Sequence, residues 1–240
     1  MKTWVIPDIH GCLQTLRYVV EDMIQLEKRD KLFILGDIID RGPDSKGVID
    51  YIMQLESQHY NVLTLRGNHE DFMLKVIEAE KNNKFWKGFR GAGKLRKEWF
   101  RFGGEATLKS FGEKKISNIP DIYVNWLKAL PFYSQYGKFL IVHAGFNFKN
   151  DNIFEDENAM LWTRDYEIDP DKLAGRRIIH GHVPVDLEFI YSCLKINNVY
   201  NFIALDNGVY MTDRPGYGNL TALELNTMDL KIQPNLDQQP

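Results

Sequence analysis

The chain has 240 residues, 44% of them hydrophobic and 26% charged, and a formal net charge of −3. This length suits one large domain and is short for two. A mildly acidic chain without a clustered basic face is not expected to bind nucleic acid stably, and its apolar runs are too short to span a bilayer. The two distant cysteines, Cys12 and Cys193, argue against a disulfide framework. With no apolar signal-peptide core near Met1, we expect a cytoplasmic protein without a membrane partner.

The first seventy residues alternate short apolar strands with segments of helical period. The predicted strands are Thr3–Ile6, Lys31–Leu35 and Val62–Leu65, and the predicted helices are Leu13–Leu26, Val48–Leu55 and Glu70 to about Ala79. Strands that alternate with helices indicate a parallel sheet with right-handed crossovers.

The rest of the chain changes character twice. Residues 81–130 predict a mainly helical cap segment: 81–104 is basic, glycine-dotted and aromatic (Phe85, Trp86, Phe89), and a regular helix follows over 120–130. Strands dominate afterwards, over Phe139–Val142, Arg177–Ile179, Val199–Leu205, Leu220–Leu225 and Leu230–Ile232. We predict one α/β domain over residues 1–233 with two packed sheets, followed by a loose tail over 234–240.

Polar side chains follow five of the predicted strands. The segments are Asp8-Ile9-His10-Gly11, Gly36-Asp37-Ile38-Ile39-Asp40-Arg41-Gly42, Gly67-Asn68-His69-Glu70, His143-Ala144-Gly145 and His180-Gly181-His182. Open α/β sheets place their sites at the carboxyl ends of the strands. Singly, these Asp and Asn residues could be caps or turn residues. Five of the six histidines lie in these segments, however, and this favours a metal site.

The donor types indicate which metals would bind. Carboxylate, imidazole and amide oxygen together suit Mn²⁺, Fe or Zn²⁺. In two-metal centres the ions lie about 3.5–4 Å apart, and one carboxylate bridges them.

Three of these segments, beginning at Asp8, Gly36 and Gly67, resemble the signature motifs of the phosphoprotein-phosphatase family. The likeness extends from about residue 3 to 226. It is strongest to the bacterial and phage branch, which is related to symmetrical diadenosine-tetraphosphate hydrolases and shares the stretches 99–107 and 161–164. Pro7 stands where the family has glycine, and no ligand position is changed. The resemblance implies a calcineurin-like metallophosphoesterase fold, with two packed mixed β-sheets flanked by helices.

The resemblance also implies a set of metal ligands. One divalent ion would be held by Asp8, His10 and Asp37, and the other by a bridging Asp37 together with Asn68, His143 and His182. We expect Mn²⁺, with Fe or Zn²⁺ as alternatives.

The same resemblance assigns the catalytic residues. His69 would protonate the leaving oxygen and Asp40 would orient it, while Arg41 and Arg164 would grip the phosphate. A carboxylate-backed imidazole is fixed in tautomer, and arginine matches phosphate oxygens. A hydroxide bridging the two metals would attack the phosphorus in line.

The implied function is hydrolysis of phosphate monoesters, on phosphorylated proteins or small phosphoesters, with serine/threonine or dual specificity. The closest alternative is a symmetrical bis(5′-nucleosyl)-tetraphosphate hydrolase, which would need a base pocket, expected from residues 81–130. A metal-dependent nuclease generally lacks the ending Asp40-Arg41-Gly42. An inactive binding module would have lost a ligand, and none is missing. The sequence leaves the oligomeric state open.

Two further segments are ambiguous. His180 and His182 would share a face of an extended strand, and we expect His180 to be buried or supporting rather than a ligand. Asp206-Asn207-Gly208 predicts a hairpin turn, with support of a metal-bound histidine as the alternative role for Asp206.

Overall fold

A computed structural model describes residues 1–83, 91–165, 167–195 and 200–237. In this part of the chain the strands are β1 Thr3–Ile6, β2 Lys31–Ile34, β3 Asn61–Thr64, β4 Tyr133–Tyr136, β5 Phe139–Val142, β6 Arg177–His180, β7 Phe202–Ala204, β8 Asn219–Glu224 and β9 Leu230–Pro234. The helices are α1 Leu13–Tyr18, α2 Ser45–Ser57, α3 Asn68–Asn83, α4 Gly91–Arg101, α5 Gly104–Ser110, α6 Asp121–Ala129, α7 Glu157–Trp162, α8 Pro170–Leu173 and α9 Leu187–Leu194.

The strands form two mixed sheets. The first has the order β3-β2-β1-β8-β9, in which β1, β2 and β3 are parallel and β8 and β9 are antiparallel to their neighbours. The second has the order β4-β5-β6-β7, in which β5, β6 and β7 are parallel. The predicted architecture of two mixed sheets flanked by helices is confirmed.

Alternating side chains divide the interior into layers, because successive residues of a strand point to opposite faces. Val5 and Phe33 belong to the same buried cluster as Ile141 and Ile179, so this cluster lies between the two sheets. The opposite faces of the strands pack against the helices. Both sheets are therefore covered, as parallel strands require.

Several elements differ from the predictions. The first helix is interrupted: α1 ends at Tyr18 and the chain continues as a π-helical turn over Val19–Met23. The edge strand β4 and the helices α7, α8 and α9 were not predicted. Asp156 and Asp186 cap α7 and α9 through their side chains, so those two helices carry recognisable start signals. The aromatic residues between 84 and 90 and the predicted strand start at 199 lie outside the described residues.

The C-terminus also differs from the expected loose tail. Pro234 closes β9, and Asp237 returns to the start of α1. Its carboxylate accepts the backbone N–H groups of Gln14 and Thr15 at 2.8 and 2.9 Å and the Thr15 hydroxyl at 2.6 Å. Residues 234–237 are therefore anchored, and 238–240 lie outside the described residues. Among the described helices, none has the length and apolar character needed to cross a membrane.

Candidate metal centre

The polar segments meet at the carboxyl edges of the parallel strands. All six predicted metal ligands are buried, with exposed fractions of 9% or less. Buried polar groups are costly unless they are paired or bind a metal. The ligands follow β1, β2, β3, β5 and β6 in turn, as Asp8 and His10, Asp37, Asn68, His143 and His182.

The backbone at this edge is unusual. Nine described non-glycine residues have positive φ, a region that residues with a Cβ seldom adopt. Five of the nine are predicted site residues: His10, Asp37, Asp40, Arg41 and His182, with φ between 46° and 69°. Such conformations cluster at functional sites because the surrounding structure enforces them.

The Glu70 carboxylate enforces the conformation of the loop after β2. Its Oε2 accepts the backbone N–H groups of Asp37 and Gly67 at 2.9 and 2.8 Å, and its Oε1 accepts those of Ile38 and Ile39 at 2.9 and 3.4 Å. A Cβ at Gly67 would lie 2.2 Å from Oδ1 of Asp37, so only glycine fits there. One buried carboxylate thus fixes the loop that carries Asp37.

Asp37, Asn68, His143 and His182 form what we call the asparagine cluster. Asn68 Oδ1 lies 2.9 Å from both His143 Nε2 and His182 Nδ1, and these two nitrogens are 3.2 Å apart. Asp37 Oδ2 lies 3.5 Å from His143 Nε2. Ligands about 2.1 Å from one metal are separated by about 3.0–3.4 Å. The four atoms therefore have the spacing of a coordination shell.

Proton positions in the asparagine cluster also favour a cation. His143 Nδ1 donates to the carbonyl of Leu35 at 3.0 Å, so its Nε2 presents a lone pair to Asn68 Oδ1. Burial lowers the pKa of His143 below its ordinary value and that of His182 to about 3, and both rings are neutral at pH 7. Neutral His143 carries its proton on Nδ1, so it has no proton between its Nε2 and Asn68 Oδ1. A metal ion satisfies these acceptor atoms at once, so these residues fit a divalent cation.

A second cluster of predicted ligands, His10 and Asp8, also lies near Asp37. His10 Nδ1 donates to the carbonyl of Ile39 at 2.9 Å, which leaves Nε2 pointing inward, 3.9 Å from Asp37 Oδ2. Both oxygens of Asp8 accept the backbone N–H of His182 at 3.1 Å. Burial, followed by repulsion from other carboxylates that include Asp37, raises the pKa of Asp8 well above its usual range. A cation here would relieve that repulsion.

The structure groups the ligands of this second cluster differently from the expectation. Potential ligand atoms of His10, Asp37 and His69 lie within 4.8 Å of one another. In the described part of the chain, Asp8 joins no group of three at this distance.

Asp40 and His69 form a buried pair beside Asp37. His69 Nδ1 donates to Asp40 Oδ2 at 2.7 Å, and His69 Nε2 lies 3.8 Å from Asp37 Oδ2. Burial by itself lowers the pKa of His69, but the carboxylates of Asp37 and Asp40 together raise it above its ordinary value. The ring is thus held in one orientation. The two carboxylates favour its protonated form, which the ring can adopt only when Arg41 is not donating to Nε2.

Arg41 bridges the imidazoles of His10 and His69. Its Nη1 lies 3.0 Å from His10 Nε2, and its Nη2 lies 3.1 Å from His69 Nε2. The guanidinium packs over the ring of Tyr210, with 4.1 Å between Cζ and the ring centroid. A metal on His10 Nε2 needs the same lone pair, so metal binding requires Arg41 Nη1 to leave that nitrogen.

Arg164 lies on the exposed segment after α7. Its charge contributes to lowering the pKa of His182. It lines a cavity of about 580 Å³ together with His180 and Phe202. His180 is buried, donates Nδ1 to the carbonyl of Gly181 at 3.0 Å and belongs to neither cluster.

Asp206 does not close the predicted hairpin, because β7 and β8 belong to different sheets, and in the described part of the chain its carboxylate does not contact a histidine. Its Oδ1 accepts the backbone N–H of Gly208 at 2.7 Å, as in a turn. Its Oδ2 is buried without a hydrogen-bond partner, and its charge contributes to the raised pKa of Asp8. The predicted turn residue therefore also adds negative charge to the metal centre.

Sequence reasoning gave no role to several residues that contact the centre. Trp99 and Thr107 donate to Asp40 from the segment after α3. Glu70 and Tyr210 contact the site as described above. The stretch 99–107 was marked only by its resemblance to the bacterial branch, and no sequence signal singled out Tyr210.

The sequence of the chain is similar to those of known phosphoesterases. Residues 1–211 match the family described as calcineurin-like phosphoesterase. The symmetrical bis(5′-nucleosyl)-tetraphosphatase of Buchnera aphidicola is 39% identical over 84 residues, which cover 35% of this chain and 30% of that protein. The enzyme of the same name from Dechloromonas aromatica is 30% identical over 147 residues, covering 60% of this chain and 44% of that protein. The chain therefore matches less than half of the length of these relatives.

Two solved structures share the fold at low sequence identity. A putative diadenosine tetraphosphatase superposes with a TM-score of 0.59 at 17% identity, covering 99% of this chain and 95% of that one. A serine/threonine phosphatase from Saccharomyces cerevisiae, with similarity to human phosphatase PP5, superposes with a TM-score of 0.63 at 16% identity, covering 100% and 81%. With the family match extending over most of its length, the chain belongs to the calcineurin-like phosphoesterases.

Proposed function

We propose that the protein is a phosphoric monoester hydrolase that acts on phosphoserine and phosphothreonine in proteins, with phosphotyrosine as a secondary substrate. The observation that carries this proposal is the position of the asparagine cluster beside the Asp40–His69 pair. A cation site and a proton donor then face the same space, and phosphate monoester hydrolysis needs both.

In this proposal two cations would be bound, one by Asp8, His10 and Asp37, and the other by the asparagine cluster, which includes Asp37. The mixture of carboxylate, imidazole and amide oxygen supports Mn²⁺, with Fe and Zn²⁺ as alternatives. When bound, the cations supply Lewis acidity that activates the attacking water and neutralises charge on the phosphate.

The protein side chains supply proton transfer and phosphate binding. His69 keeps its Nδ1 proton on Asp40, so its Nε2 is the nitrogen that gives a proton to the leaving oxygen. In the structure that nitrogen accepts from Arg41. Arg41 must therefore release His69 before the imidazole can act as an acid. A phosphate offers the guanidinium a stronger acceptor than a neutral imidazole, and Arg164 would approach the same phosphate from its exposed segment.

A specific observation favours a second candidate, the symmetrical dinucleoside-tetraphosphate hydrolase. The curated relatives bear that name. The cavity beside Arg164 is lined by apolar and aromatic side chains, among them Val183, Phe189 and Phe202, and has room for a nucleobase. For such a hydrolase the sequence predicts the required base pocket in residues 81–130, whereas this cavity is built from other segments.

A panel of substrates tests the proposal. Wild-type protein with Mn²⁺ should hydrolyse phosphoserine peptides and para-nitrophenyl phosphate, and chelation should abolish both reactions. A kcat/KM for diadenosine tetraphosphate far above that for any phosphopeptide would favour the second candidate. Failure to hydrolyse any of these substrates, with metal bound, would leave the binding-module interpretation.

The proton-donor role of His69 has its own test. Phosphoserine has an alkoxide leaving group that needs a proton, whereas nitrophenolate scarcely does. His69→Asn should therefore slow phosphoserine hydrolysis by ~10²–10⁴-fold, cost less on para-nitrophenyl phosphate, and leave bound metal unchanged. Asp40→Asn should show a milder form of the same pattern. Equal losses on both substrates would remove His69 from the acid role.

A further inference from the structure

The stretch from Trp99 to Thr107 comprises the end of α4 and the start of α5, and it contacts Asp40 from outside the two sheets. Trp99 is fully buried, and its Nε1–H donates to Asp40 Oδ2 at 2.9 Å. The Thr107 hydroxyl, also fully buried, donates to Asp40 Oδ1 at 2.6 Å. Two donors from a distant segment therefore hold the carboxylate that orients His69.

The hydrogen bonds around Asp40 leave its carboxylate little freedom. Oδ2 accepts from both His69 Nδ1 and Trp99 Nε1, and Oδ1 accepts from Thr107. The Asp40 backbone N–H donates to the hydroxyls of Ser45 and Thr107, each at 3.0 Å. Because Thr107 Oγ1 uses its proton on Asp40, the Ser45 hydroxyl donates across the 2.9 Å that separates the two oxygens. Rotating the carboxylate would break at least one of these bonds.

Two glycines, Gly103 and Gly104, allow this segment to pack closely against the site. Gly103 has φ of 100°, and its carbonyl accepts the backbone N–H of Arg41 at 3.3 Å. Gly104 lies against the Trp99 indole so closely that a Cβ there would approach the ring to 2.2 Å. The glycine pair thus ties the segment both to Arg41 and to Trp99.

We infer that Trp99 and Thr107 are positioning residues for the proton transfer to the leaving oxygen. They fix the Asp40 carboxylate, which fixes the ring plane and tautomer of His69. Their importance therefore rises with the basicity of the leaving group, as does the need for the acid itself. This inference rests on the proposed acid role of His69.

The test removes one donor at a time. Thr107→Val keeps the side-chain shape and deletes the hydroxyl, Trp99→Phe deletes the indole N–H, and Thr107→Ser restores a hydroxyl. Trp126→Phe is the matched control, since the Trp126 indole also donates to a carboxylate, that of Glu56, at 2.9 Å. Each variant is assayed with Mn²⁺ for kcat and KM on a phosphoserine peptide and on para-nitrophenyl phosphate, and for bound metal and thermal midpoint.

Thr107→Val and Trp99→Phe should lower kcat on the phosphoserine peptide about tenfold, a fraction of the full acid contribution. The loss on para-nitrophenyl phosphate should stay within about twofold, with KM and bound metal unchanged. Thr107→Ser should recover most of the rate, and Trp126→Phe should behave as wild type. In chelated protein, the low-field proton resonance of His69 Nδ1–H should shift in the first two variants and not in the control.

Three outcomes would overturn the inference: equal losses on both substrates, loss of metal, or an unchanged His69 resonance. Failure of the proposed function is distinguishable, because His69→Asn would then show no dependence on the leaving group. If Trp99→Phe does not fold, the isosteric Thr107→Val still decides the question.

Discussion

Glu70→Gln is the substitution that most directly tests how the centre is built. Glutamine has nearly the same shape as glutamate but replaces one carboxylate oxygen by an NH₂ group. Because the two oxygens of Glu70 each accept two backbone N–H groups, the amide nitrogen would face two donors. Burial, followed by repulsion from Asp37, raises the pKa of Glu70 to about 8, so the comparison is made at about pH 9, where the group is a carboxylate. Hydrogen bonds to a charged group contribute about 1.5–3 kcal/mol each, so losing two should destabilise the fold by ~3–6 kcal/mol.

This loss is measurable by urea unfolding of the chelated protein, followed by circular dichroism. Glu78→Gln is the matched control, because Glu78 is exposed on the same helix, and it should change the unfolding free energy by less than about 0.5 kcal/mol. If the substitution at Glu70 costs under about 1 kcal/mol, the carboxylate does not support the loop as described. Bound Mn²⁺ should also fall in the Glu70 variant, since the loop carries Asp37.

Three further predictions concern Asp37, His182 and Asp237. Asp37→Asn should lose bound metal and activity on both phosphoserine and para-nitrophenyl phosphate, measured by elemental analysis and kcat; retention of two metals would contradict its bridging role. In chelated protein, neutral His182 stabilises the fold fully above pH 6.5 and loses this contribution as pH falls toward 3. The unfolding free energy of wild type relative to His182→Gln should therefore drop by about 2 kcal/mol between pH 7 and 5, and a pH-independent difference would refute this. Asp237→Ala should cost about 1–2 kcal/mol in urea unfolding, because it removes the cap on α1, and no measurable loss would contradict the anchored C-terminus.

The strand-end motifs could be predicted because they depend on local chemistry. A short apolar run followed by Asp, His or Asn indicates both a buried strand and a ligand at its carboxyl end. Parallel pairing places the carboxyl ends of neighbouring strands at the same edge of the sheet, so such residues come together, as at β1, β2 and β3. The location of the asparagine cluster follows from this rule, whereas the family was indicated by the resemblance of the motifs.

The contacts that hold the site could not be predicted in the same way. Glu70 accepts from backbone groups 31–33 residues earlier in the chain, and Trp99 donates to a carboxylate 59 residues away. These bonds leave no periodicity in the sequence, because each is made by a single side chain to a loop that is distant along the chain. The edge strand β4 was missed for a related reason: its residues are only partly buried, so it lacks an apolar run.

The backbone strain and these long-range bonds belong to one design. Each left-handed residue with a side chain costs about 1–3 kcal/mol, and Asp37, Asp40 and Arg41 follow one another closely in the loop after β2. A loop with such a strained backbone keeps its conformation only where other groups enforce it. Glu70 binds the backbone at its beginning, and Trp99 and Thr107 bind the Asp40 side chain within it. The enforced conformation turns Asp37 toward the clustered histidines and Asp40 toward His69. Metal binding and proton transfer are thus positioned by the same short loop, so weakening any of its three supports should disturb the chemistry before it unfolds the sheets.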